Sequence, residues 1–93
     1  MVAISKTVIQ IKPGKKNEVD EFIEQRIEQI SSIEGLRNWG FMYTSETEIT
    51  VIAVYENKTN AENATPHVNT ILGDVAPLVA APPNREIFEA NWY

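Results

Sequence analysis

Residues 36–56, LRNWGFMYTSETEITVIAVYE, decide the fold. Residues 36–45 and 48–56 are rich in β-branched and aromatic side chains, and Ser45, Glu46 and Thr47 form a polar break between them. That pattern reads as a β-hairpin. Alternation along the first strand sets Trp39, Phe41 and Tyr43 on one side, with Leu36, Gly40 and Met42 on the other. The second strand sets Ile49, Val51, Ala53 and Tyr55 opposite Ile52 and Val54. A sheet with one wet face alternates cleanly between apolar and polar residues, and this hairpin does not. Both faces need cover.

Upstream, residues 2–12 have the composition of a strand, stopped by Pro13-Gly14. The period then changes. Val19, Phe22, Ile23, Ile27, Ile30 and Ile33 recur at helical spacing, and Gly35 is expected to end that helix. Downstream, residues 57–72 read as helix with an interruption, Thr65 capping a fresh helix that starts at Pro66. Gly73-Asp74 is expected to end it, residues 75–81 to form a short turn, and residues 85–92 to make the last strand. The order is strand, helix, strand, strand, helix, strand. It predicts an α+β, ferredoxin-like βαββαβ fold, a four-stranded antiparallel sheet with helices on one face. Helices on one side leave the other bare, so a homodimer through the sheet face is expected, a dimeric α+β barrel.

At 93 residues the chain makes one domain, residues 1–93. It has no cysteine, which excludes disulfides and thiolate metal sites. The net charge is −5, with 13 acidic and 8 basic residues and no basic cluster, so no nucleic-acid partner is expected. No apolar run has the length of a membrane span and no signal-peptide pattern opens the chain, so no membrane partner and a cytoplasmic location are expected. Glu21, Glu24 and Glu28 make an acidic stripe that reads as a solvated helix face, not a metal site.

Four short stretches carry a family resemblance: Lys12-Pro13-Gly14-Lys15, Ile33-Glu34-Gly35-Leu36, Val54-Tyr55-Glu56-Asn57-Lys58 and Ala64-Thr65-Pro66-His67-Val68. In that order and spacing they resemble antibiotic biosynthesis monooxygenase (ABM) domains, and the last resembles the quinol-monooxygenase-like members. The resemblance implies a dimer with a pocket between sheet and helices in each subunit. It also implies oxidation of a quinol or polyketide-like aromatic by dioxygen with no metal or organic cofactor. The heme-degrading branch places an Asn, a Trp and a His where this chain has Thr7, Ala64 and Asp74, so heme degradation is disfavoured.

His67 is the single histidine. A first-turn position in the helix would favour a neutral imidazole able to take a proton, so His67 is the candidate catalytic base. Trp39, Tyr43 and Tyr55 are the candidate aromatic walls for a small flat ligand, with Asn38 to orient it. Arg37 and Arg85 border turns and are expected to be solvated. Three functions fit these residues: a cofactor-independent monooxygenase, a non-catalytic ligand-binding or accessory domain, and an isomerase or cyclase working by proton transfer.

Overall fold

The computed structural model describes residues 1–93. Strand β1 (Val2–Gln10) leads to helices α1 (Lys16–Gln25) and α2 (Ile27–Ser31), then to the hairpin β2 (Leu36–Ser45) and β3 (Glu48–Tyr55). Helices α3 (Lys58–Asn63) and α4 (Thr65–Val75) follow, then a 3₁₀ turn (Ala76–Leu78) and β4 (Asn84–Ala90). The strands form one antiparallel sheet in the order β2-β3-β1-β4. This is the expected α+β, ferredoxin-like arrangement. No helix is long and apolar enough to cross a membrane.

Local chemistry sets the turns. Pro13-Gly14 closes β1 with Gly14 at φ +79° and a bond from the Lys15 N–H to the Lys12 carbonyl (3.1 Å). Gly35, at φ +80°, turns the chain into β2, and its carbonyl accepts from the Glu56 N–H (2.8 Å). The Asn57 side chain caps α3 by accepting from the Asn60 N–H (2.8 Å).

Five boundaries or faces differ from the sequence reading. The first helix is two pieces: at Arg26 (φ −111°, ψ 4°) the N–H bonds three residues back to the Ile23 carbonyl (2.9 Å). The tighter turn shifts the helical phase and leaves Ile27 46% exposed. Thr65 is not a cap. Ala64 flanks α4 and makes no side-chain cap bond, while Thr65 is the first helical residue. Gly73-Asp74 does not stop α4, which continues to Val75 because Ile71 and Val75 are buried on one helix face. Leu36 lies on the same sheet face as Trp39, because a register shift at Arg37 puts two β2 residues against one β3 residue. Last, β4 ends at Ala90, so Trp92 and Tyr93 lie past the strand.

Two apolar clusters hold the helices on the sheet. Ile9, Ile11, Val19, Ile23, Ile49, Val75 and Val79 form one, and Ala3, Ala53, Tyr55, Ala61 and Ala64 the other. Alanines on both sides of the second cluster let the α3–α4 corner sit close to the strands. The branched residues of the first hold α1 farther off. A space remains between them.

Candidate functional site

That space is a cavity of about 90 Å³ between the sheet and the helices. The sheet contributes Ser5, Thr7 and Ile9 from β1, Leu36 and Trp39 from β2, Val51, Ala53 and Tyr55 from β3, and Arg85 from β4. Phe22, Ile23, Ile30 and Ile33 wall it from the α1–α2 side, and Val68, Ile71, Leu72 and Val75 from α4. The lining contains no carboxylate and no imidazole. Its polar members are two hydroxyls, one phenol, one indole and one guanidinium.

Register explains how the polar groups meet. Thr7 and Arg85 are direct partners across β1 and β4, so both side chains rise on the helix side, and Ser5 is the next residue of β1 on that side. The Arg85 guanidinium donates through one terminal nitrogen to Thr65 Oγ1 (2.7 Å) and through the other to the Ala61 carbonyl (3.0 Å). Its Nε is buried without a partner. On the β2 side, the Trp39 indole N–H donates to Ser31 Oγ (3.0 Å), tying the cavity wall to the end of α2.

Of the residues singled out from sequence, Trp39 and Tyr55 line the cavity. Tyr55 is only 1% exposed. Tyr43 is on the same sheet face but stands outside the lining, toward the hairpin end of β2. There it packs edge-on against Phe41 (82° between rings) under the Lys16 ammonium, 4.3 Å above its ring. Asn38 is exposed on the opposite sheet face, since it is the neighbour of Trp39 in a regular stretch of β2 and alternates away from the helices. His67 is exposed on α4 and is not in the lining, so its ring has no geometry for taking a proton from a molecule held in the cavity. The helix restarts one residue earlier than the cap reading required, and Val68 is the residue that points in.

Arg85 is the residue that sequence reasoning misplaced. It is half-buried, whereas Arg37 is exposed beside Glu56 (3.8 Å). The available signal was period two: Arg85 and Ile87 share a face, and Ile87 packs on the buried alanine cluster.

The sequence matches no protein-family model and no curated protein. Solved structures do match. A candidate antibiotic biosynthesis monooxygenase from Nitrosomonas europaea superposes with a TM-score of 0.81 at 17% identity, covering 96% of this chain and 89% of that one. SnoaB, a cofactor-independent oxygenase from Streptomyces nogalater, gives 0.78 at 10% identity over 99% and 95% of the two chains. The chain has the antibiotic biosynthesis monooxygenase fold. A further ABM-fold structure, the ActVA-Orf6 monooxygenase of Streptomyces coelicolor in complex with the ligand nanaomycin D, gives 0.77 at 13% identity over 98% and 88%. In the ABM fold of this chain, the cavity is the space enclosed between the sheet and the helices on its covered face.

Proposed function

We propose that this protein is a cofactor-independent monooxygenase acting on a small quinol or polyketide-like aromatic inside the sheet–helix cavity. One observation carries the reading. The cavity is apolar and aromatic-walled, and its lining holds hydroxyl, phenol, indole and guanidinium groups but no carboxylate and no imidazole. Trp39 and Tyr55 would flank the rings. A proton-transfer isomerase or cyclase needs a base beside the substrate, and the lining supplies none. An oxygenation can begin instead from a ligand that ionises by itself. The carbanion of such a ligand passes one electron to dioxygen, and the radical pair joins through a new C–O bond. The resulting hydroperoxide breaks its O–O bond and loses the remaining C–H hydrogen with one oxygen as water. A methylene has become a carbonyl, one oxygen atom is in the product and one is in water. The protein's part is to hold the rings and the charge.

The same reading includes a homodimer through the bare sheet face. Ile4, Val8, Met42, Ile52 and Phe88 alternate with the inward residues and so occupy that face, and Met42 and Phe88 are about half exposed. An open groove of about 400 Å³ runs over Gly40, Met42, Ile52 and Val54 beside Trp92. Apolar area of this kind favours a second copy of the sheet.

Oxygen consumption with a panel of quinols and anthrone-like aromatics tests the activity. Turnover that needs dioxygen supports it, and turnover that proceeds equally without oxygen would replace it with proton-transfer chemistry. Ligands that raise the melting temperature with no turnover would leave a binding module, the second reading the fold supports.

A further inference from the structure

We infer that α2 is a gate on the cavity, latched by the hydrogen bond between Trp39 on β2 and Ser31 at the far end of the helix. This rests on the cavity being an aromatic-ligand site and adds how that site is entered. A cavity of about 150 Å³ takes one benzene ring. At about 90 Å³ the closed cavity is short of that, so one wall must give way. The other helical walls are anchored by buried side chains, Val19 and Ile23 in α1 and Ile71 and Val75 in α4. Helix α2 has none. Its share of the lining is Ile30, half-buried, with Ile33 just beyond the helix end.

The two ends of α2 differ. At its start, Arg26 breaks the helix with φ −111° and ψ 4°, pairs with Asp74 on α4 (2.9 Å) and stacks over Phe22 on α1. That end is the pivot. At the other end, Ser31 Oγ accepts from the Trp39 indole N–H (3.0 Å), and Gly35 follows at φ +80°. Of the hydrogen bonds made by residues 27–32, the one from Trp39 alone comes from outside residues 26–33. The latch is therefore a single bond at the surface between two walls of the cavity. Trp39 lines it from the sheet, and the helix that carries Ser31 covers it. Breaking that bond lets α2 swing about Arg26 and Gly35 without exposing a buried side chain. Ser31 is thus a positioning residue, holding α2 and the indole together.

The first arm of the test needs no ligand. In hydrogen exchange of the full chain, read by mass spectrometry, amides of residues 27–33 should exchange about threefold to tenfold faster in Ser31→Ala, the scale of one lost hydrogen bond. Amides around Val19 and Ile23 should be unchanged. Ser31→Thr should restore the slow rate. Ser31→Ala should add nothing in a Trp39→Phe background, where the donor is already gone. The second arm follows 1-naphthol by stopped flow. Its rings need the open gate, so the latch opposes binding, and Ser31→Ala should bind it about threefold to tenfold more tightly through faster association. Unchanged exchange in Ser31→Ala overturns the latch. Faster exchange with unchanged or weaker binding overturns the gate and leaves the aromatic pocket standing. If 1-naphthol does not bind the unchanged protein or Ser31→Ala, the aromatic-ligand reading falls, and the gate with it.

Discussion

Arg85, Tyr55 and Glu48 show what single side chains do here. Tyr55 fills space under α3 and also lines the cavity, so packing and binding share one ring. Tyr55→Ala should cost about 3–5 kcal/mol by urea denaturation, as buried aromatic truncations do, while Tyr55→Phe, which keeps the ring, should cost far less. His67 is exposed and touches nothing that the cavity holds, so His67→Ala should leave both ligand affinity and turnover unchanged. A large loss of turnover in that variant would restore the base role read from the sequence. Glu48 accepts hydrogen bonds from Thr44 Oγ1 (2.6 Å) and Gln10 Nε2 (2.8 Å). These bonds, that from Thr44 first, hold its carboxyl below the ordinary value of 4.5. A lowered folded-state value stabilises the fold above the unfolded-state value, and that contribution disappears as pH falls through the folded-state one. The melting-temperature difference between the unchanged protein and Glu48→Gln should therefore be present at pH 7 and shrink below about pH 4.

Among the elements, the α1–α2 segment governs access. A cavity of about 90 Å³ is smaller than the roughly 300–1,000 Å³ of drug-sized ligand pockets, so a wall must move for an aromatic to enter. Helix α2 is the weakest wall. It is five residues long, contains no buried residue, and lies between the irregular Arg26 and Gly35. Arg26 ties it to α4 through Asp74 (2.9 Å) while stacking over Phe22, and Ser31 ties it to Trp39. An exposed ion pair of this kind contributes roughly 0–1 kcal/mol. Arg26→Ala should accordingly change stability little and quicken ligand association in stopped-flow measurements. Hydrogen exchange gives a second check: amides of α2 should exchange through local opening well before those around Val19 and Ile23 in α1.

At the scale of the whole molecule, the sheet is covered on one side by its own helices and has nothing of comparable size on the other. Lys6 stands among the apolar residues of that outer face, across from Glu86 on β4, so a face-to-face dimer would enclose a charge with an acidic neighbour already in register. A carboxylate at Met42, half exposed on β2 and across from Thr50, has no basic partner in register. Met42→Glu should shift the mass in solution from dimer to monomer at micromolar concentration, measured by light scattering, without loss of secondary structure. An unchanged protein that is monomeric under the same conditions would end the dimer proposal.

The strand, helix, strand, strand, helix, strand order was legible in the sequence because it depends on local periods and turn residues: the hairpin of residues 36–56, Pro13-Gly14 and Gly35 each act over a few positions. Trp39 and Tyr55 were legible for the same reason, since strand alternation assigns a face. Tertiary structure decided what distance along the chain conceals. Arg85 is a surface residue by composition, and becomes a site residue only because β4 pairs with Thr7, seventy-eight positions away, and the α3–α4 break offers it two acceptors. A one-residue register shift at Arg37 moved Leu36 inward, and a phase slip at Arg26 exposed Ile27. Periodicity counts residues from one end of an element, so a single irregular residue reverses every face beyond it.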